Sequence, residues 1–309
     1  MDFVKTDSSL PDVAKENTQN ELSSELHLQW VGMSDIQTRI LWKSNEANYF
    51  LPAKLQTHVS LDKGNHRGIH MSRLFLSAQE KLTGQAFSSQ LLIDILSENL
   101  LTHAEMSQSA RLRIDVEIPK LQKSLKSEIS SVRNYPISFE IKNVLGQWQE
   151  SLEITVLYSS TCPASGALSQ QLIQQQFLKD FKDAGIIESQ DVFRWLGSKQ
   201  GMVATPHAQR SWAKLKFARK SKVGEDSLPI LCETLIDEIE SIIETPVQSA
   251  VKRIDEQEFA RLNGKNMMFC EDAARKLKAA YIKHPQWILL AGEVHHVESL
   301  HPHEAVAYI

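Results

Sequence analysis

The sequence predicts an α+β fold, and three observations carry that expectation. Arg111 to Ile118 and Gln209 to Ala218 alternate apolar and polar residues with the two-residue period of a half-buried strand. Between and after them lie stretches whose apolar residues recur every three or four positions, the signature of amphipathic helices. The strands come in runs rather than in strict alternation with helices, which implies antiparallel strands with helices on one side instead of a doubly wound sheet.

Taken in order, residues 1 to 26 are rich in Ser, Asp, Glu, Asn and Gln and read as a leader that adds nothing to a core. Folded structure is expected from His27. Gln56 to Leu61 reads as extended, and His70 to Leu82 and Ser88 to His103 read as helices, the second with Phe87, Leu91, Ile95 and Leu100 near one face. Strands follow at Arg111 to Ile118, Ile137 to Ile141 and Leu152 to Tyr158. In the second half, Leu168, Leu172, Ile173, Phe177 and Phe181 mark an amphipathic helix. In the strand from Gln209 to Ala218, Ala213, Leu215 and Phe217 alternate with Trp212, Lys214 and Lys216. Leu228, Leu231, Leu235, Ile239 and Ile242 mark a further helix, and Ala273, Leu277 and Ala280 another after a turn at Asn263 to Asn266. Trp287 to Val297 and Ala305 to Ile309 close the chain as strands. A length of 309 residues exceeds what one core usually fills, so we expect a leader at 1–26 and two modules, 27–160 and 161–309.

Composition excludes several classes. Lysine and arginine total 34 against 38 acidic residues, which gives no overall footprint for nucleic acid or an anionic membrane. No stretch approaches the ~20 apolar residues of a membrane helix, and the N-terminus lacks a signal peptide's pattern. Cys162, Cys232 and Cys270 are too few and too scattered for a disulfide framework, which fits a reducing, cytoplasmic setting.

Chemistry is suggested at six places. Cys162 follows a strand and precedes Pro163, which ends the ladder and leaves the thiol at a strand terminus, the place of a ligand, a nucleophile or a small buried apolar group. His207, in Thr205-Pro206-His207-Ala208-Gln209-Arg210, sits in a turn leading into a basic strand. Four of eleven histidines, His295, His296, His301 and His303, crowd the last fifteen residues. His301 and His303 would face one side of an extended segment, either as metal donors or as a solvated edge. Glu256 and Glu271 stand near helix starts, where an acid also simply complements the helix dipole. His66-Arg67-Gly68-Ile69-His70-Met71-Ser72-Arg73 combines guanidinium groups, histidines and a glycine ahead of a helix, which suits phosphate. The seven basic residues from Lys199 to Lys222 are a second phosphate candidate or a wet strand face.

From about His58 to the C-terminus the chain resembles the type IB GTP cyclohydrolases. The segments that carry the resemblance are His66 to Arg73, Thr205 to Arg210, Ala250 to Arg253 with Asp255-Glu256, Asn263-Gly264 with Phe269 and Glu271 to Arg275, and Glu298-Ser299-Leu300-His301-Pro302-His303. The resemblance implies a tunnelling fold of two tandem modules, assembled as a homotetramer. It implies hydrolysis of GTP to 7,8-dihydroneopterin triphosphate and formate, the first step of folate and pterin biosynthesis. It also implies a divalent metal (zinc, manganese or iron) held by Cys162, His207, Glu256 and His301, with Glu271 anchoring the guanine edge. His303 or His70 would move protons, and Arg67, Arg73, Lys252 and Arg253 would hold the triphosphate. One departure is visible: the family usually has a second cysteine two residues after the first, and here Ala164 stands in that place. Other readings are a pterin synthase or nitrile reductase of the same fold group, or a silent oligomer that binds nucleotide or metal.

Overall fold

The computed structural model describes residues 26–44, 48–62, 66–220 and 227–309. The expected leader falls almost wholly outside them, as does the end of the Lys199 to Lys222 run. The described strands are β1 (Leu28–Lys43), β2 (Asn48–Leu61), β3 (Ser109–Lys123), β4 (Ser130–Val144), β5 (Gln147–Thr161), β6 (Ala208–Arg219), β7 (Trp287–His296) and β8 (Ala305–Tyr308). They form an eight-stranded sheet in sequence order, and β1 with β2, β2 with β3, and β7 with β8 pair antiparallel. The described helices are α1 (Met71–Gly84), α2 (Ser89–Thr102), α3 (Pro163–Asp180), α4 (Ser189–Leu196), α5 (Leu228–Ile243), α6 (Arg253–Lys265) and α7 (Cys270–Tyr281). The α+β expectation holds.

The chain divides into two compact units, one made of 1–118, 136–153 and 217–234, the other of 119–135, 154–216 and 235–309. In the first, alternate residues of β2 and β3 (Leu51, Ala53, Leu55 and Val59; Leu112, Ile114 and Val116) are buried, as are Leu74, Ala78 and Leu82 of α1 and Leu91, Leu92, Ile95 and Leu96 of α2. Ser88 caps α2 by accepting a hydrogen bond from the Leu91 amide. Trp42, Phe87 and Phe139 cluster with ring centroids 4.9 to 6.1 Å apart, and the Trp42 indole donates to Glu233 at 3.3 Å. Gly32 is dictated by packing, because a Cβ there would collide with the Thr57 carbonyl oxygen. Leu145 and Gly146, both at positive φ, make the tight turn between β4 and β5.

In the second unit, Leu235, Ile236, Ile239 and Ile243 of α5 are buried, as are Ala273, Ala274 and Leu277 of α7. Asp255 ties two chain segments together. Its carboxylate accepts from the Lys126, Ser127 and Lys252 amides at 2.7, 2.8 and 2.8 Å and from the Ser127 hydroxyl at 2.5 Å. Burial alone would raise its pKa, but the four donors hold it below the usual carboxylate range.

Two local expectations need correction. The helix marked by Leu168 and Leu172 exists as α3, yet those residues are 61% and 50% exposed, and the buried positions of α3 are Gly166 and Ser169. The inward side uses small residues because the helix comes close to Met267, whose sulfur would collide with a Cβ at Gly166. The turn expected at Asn263 to Asn266 is instead the last turn of α6, with Asn266 as its C-terminal cap. Asn263 is held there by its own side chain, which accepts from Ser159 and Thr161 and donates to the Phe259 carbonyl.

Candidate functional site

Cys162 and His207 are brought together in the second unit. β5 ends at Thr161, Cys162 is the N-cap of α3, and Pro163 occupies the first helical turn, where its missing N–H costs nothing. The Cys162 amide donates to the His207 carbonyl at 3.3 Å, and the His207 amide donates to Ser165 Oγ at 3.1 Å. His207 stands directly before β6. Its Nε2 is buried and makes no hydrogen bond. Glu298 approaches that nitrogen at 3.5 Å and accepts from the Gln209 amide at 3.4 Å. Sequence reasoning assigns Glu298 no role of its own. The available signal was a carboxylate three residues ahead of two histidines.

His301 and His303 lie in the exposed segment between β7 and β8, their rings stacked with centroids 4.9 Å apart at 11°. Glu256 is exposed in the first turn of α6. Among the described residues no three His, Cys, Asp or Glu side chains are grouped so as to hold an ion. Of the four expected ligands, Cys162 and His207 are thus brought together, while Glu256 and His301 are not gathered with them. The assembled half fits a borderline divalent ion through its thiol and a buried imidazole nitrogen that no hydrogen bond occupies.

Glu271 lies in the first turn of α7, exposed. Its own backbone amide holds its pKa below the ordinary value, and the Cys270 thiol, donating at 3.3 Å, acts in the same direction. The group is therefore an ionised, solvent-facing hydrogen-bond acceptor. Lys252 is the N-cap of α6 and Arg253 its first residue, both exposed.

In the first unit, His70 caps α1 and its amide donates to His103 Nε2 at 3.3 Å. Arg73 donates to the Thr102 carbonyl at the end of α2, so part of its guanidinium serves that helix end. Arg67 is exposed, and a Cβ at Gly68 would meet open space, so packing does not require that glycine. In the basic run, Lys214 lies 3.5 Å from Glu293 in the second unit and Arg219 3.7 Å from Glu150 in the first.

Behind Glu271, His296 is 2% exposed and shares a 2.9 Å hydrogen bond between its Nε2 and the Tyr158 hydroxyl. Burial pushes its imidazole from 6.5 down to about 4, against a smaller upward pull from Glu271 and Asp272. With the folded-state value below the unfolded one, the unfolded chain takes the proton first. Stability is complete above about pH 6.5 and is lost as pH falls toward 4, by roughly 3 kcal/mol over the window. The expected result is a wild-type melting temperature that drops more steeply between pH 6.5 and 4.5 than that of His296→Gln. Parallel melting curves for the two proteins would show that this ring is not a buried neutral imidazole.

Comparison with known proteins places the sequence in one family. Residues 10–307 match the family model described as type I GTP cyclohydrolase folE2, so the likeness reaches back well beyond His58. GTP cyclohydrolase FolE2 of Bdellovibrio bacteriovorus is 45% identical over 304 residues, 98% of this chain and 97% of the relative. The Hydrogenovibrio crunogenus protein of the same name is 40% identical over 300 residues, 97% and 94% of the two chains. Among solved structures, uricase from Arthrobacter globiformis aligns with a TM-score of 0.48 at 9% identity, over 91% of this chain and 92% of that one. With a family model spanning nearly its whole length and relatives at 40 to 45% identity, the chain belongs to the type I GTP cyclohydrolase FolE2 family.

Proposed function

We propose that this protein hydrolyses GTP to 7,8-dihydroneopterin triphosphate and formate, the entry reaction of folate and pterin biosynthesis. The observation that carries the reading is the Cys162–His207 pair, fixed by a backbone hydrogen bond and presenting a buried, unbonded Nε2 within a chain of this family. No observation favours the pterin synthase, the nitrile reductase or the silent binder.

Cys162, His207, Glu256 and His301 would hold a divalent zinc, manganese or iron ion. Such an ion would supply Lewis acidity and a water of lowered pKa for hydration of the guanine imidazole ring. Glu271 accepts from the guanine edge. His303 or His70 transfers protons, since neither is committed to the metal in this assignment. Arg67, Arg73, Lys252 and Arg253 neutralise the triphosphate.

We further assign two tandem tunnelling-fold modules in a homotetramer. The order β-β-α-α-β-β over β1 to β4 returns, with inserted helices, over β5 to β8, which supports a tandem reading whose boundary falls between β4 and β5, ahead of the 160/161 division expected from the sequence. Edge strands β1 and β8 support assembly, as does the apolar face of α3 and α4, where Leu168, Leu172, Leu178, Phe193 and Leu196 are 50 to 71% exposed. Three free cysteines suit the cytoplasm, and no helix among the described residues is long and apolar enough to cross a membrane.

The deciding experiment measures formate and pterin fluorescence released from GTP by purified protein, with chelator and with manganese or zinc restored. Both products should appear only with metal. GTP binding without either product refutes the assignment.

A further inference from the structure

Four histidines crowd the C-terminal segment, and the function proposed above uses only His301 and His303. His296 is buried against Tyr158. His295, on the opposite face of β7, has a different setting. Its side chain is 13% exposed, and its ring lies parallel to that of Trp212 on β6, with centroids 3.7 Å apart at 12°. Nδ1–H donates to the Glu304 carboxylate at 2.6 Å, and Nε2 lies 3.3 Å from Glu293 Oε2.

Glu304 immediately precedes β8, and His295 is paired in register with Val306. The ring therefore ties down the far end of the segment that links β7 to β8. The near end is tied separately: the Val297 amide donates to the Arg210 carbonyl at 3.1 Å, and Glu298 is held by Gln209. Ser299 to His303 runs between these two ties, and it carries both histidines assigned to metal and proton chemistry.

Building on that assignment, we propose that His295, stacked on Trp212 and bonded to Glu304, is a positioning residue that sets the His301–His303 loop for catalysis. An exposed ion pair alone contributes little. Here the imidazole is mostly buried and its plane is fixed by the indole, so the carboxylate is directed as well as attracted. The β7–β8 ladder anchors the chain from Ala305 onward, so what the Glu304 bond adds is control of the last residues before it. A short loop whose final residue is unpinned samples more arrangements, and a displacement of ~1 Å at a reacting group costs on the order of 100-fold in rate.

The test uses the full chain with metal and compares Glu304→Ala, Glu304→Gln and a His301→Ala/His303→Ala double variant. Glu304→Ala should lower kcat for formate release by roughly 10- to 100-fold while the KM for GTP stays within about twofold. Glu304→Gln, which retains a hydrogen-bonding partner for Nδ1, should recover most of that loss. Emission from Trp212, isolated by subtracting the matching Trp212→Phe proteins, should rise in Glu304→Ala, because an imidazole stacked on an excited indole quenches it. Wild-type kcat in Glu304→Ala, or unchanged Trp212 emission, overturns the proposal. So does a loss that Glu304→Gln fails to restore and that tracks a fallen melting temperature. Wild-type kcat in the double variant instead refutes the assignment of chemistry to the loop, a result distinct from failure of the latch.

Discussion

Cys162→Ala is expected to lower kcat/KM for formate release from GTP by roughly 10³-fold or more, with metal bound per chain falling well below that of the wild type. At about 1.36 kcal/mol per decade this is several kcal/mol of transition-state stabilisation, the scale of a lost charge-stabilising centre. The fold should survive, because Cys162 contributes to it through backbone groups that alanine retains: its amide bonds His207 and its carbonyl accepts from Gly166 at 2.9 Å. Metal analysis, circular dichroism and formate assay on one preparation check the three parts. Full metal content in Cys162→Ala would remove the thiol from the ligand set, and His207→Ala would then show whether the imidazole holds the ion without it.

The largest effect on stability is expected at Glu240. Its carboxylate accepts from Arg133 Nη1 at 2.9 Å, from Arg133 Nη2 at 3.2 Å and from the Tyr135 hydroxyl at 2.6 Å, and Arg133 also donates to the Val247 carbonyl at 2.7 Å. The Arg133 and Glu240 side chains are 8% and 9% exposed. Burial raises the pKa of Glu240 despite the facing guanidinium, so the loss of hydration outweighs the attraction between the two charges. Removing one partner strands the other's charge and costs about 3–5 kcal/mol, whereas removing both is close to neutral. Urea unfolding should therefore show Glu240→Ala strongly destabilised and the Arg133→Met/Glu240→Leu double variant near the wild type. A double variant as unstable as the single one would show that the pair itself, rather than the stranded charge, holds the structure.

What could be read from the sequence follows from what each element buries. β3 and β6 were legible because their middle stretches alternate strictly, Leu112, Ile114, Val116 and Ile118 of β3 and Ala213, Leu215 and Phe217 of β6 facing inward between polar or charged neighbours. β1 was not, because among its residues only Ile40 and Trp42 are buried and the strand is bulged near Asp35, which sits at φ 58°. The α4 helix escaped notice because none of its residues is buried. Gly264 disguised the end of α6 as a turn. At the site, Cys162 and His207 were legible as polar residues at strand ends beside prolines. Glu298 was not, because its place beside His207 depends on the path of the chain after β7, which no local spacing encodes. Asp255, beside Glu256, looks in sequence like a helix-dipole acid. It does cap α6 through the Lys252 amide, but its bonds to Lys126 and Ser127 reach across 129 and 128 residues and leave no local trace.

The interleaving of the two units also sets a timetable for synthesis. All the chain of the first unit has been made once residue 234 is added, whereas the second still lacks 235–309, which include Asp255, α6, α7 and both C-terminal strands. Until those residues leave the ribosome, Lys126 and Ser127 have no carboxylate to bond and β6 lacks its neighbour β7. A nascent chain stalled before residue 255 would thus expose sheet that the finished protein covers, and it is at this stage that chaperone attention and misassembly should concentrate.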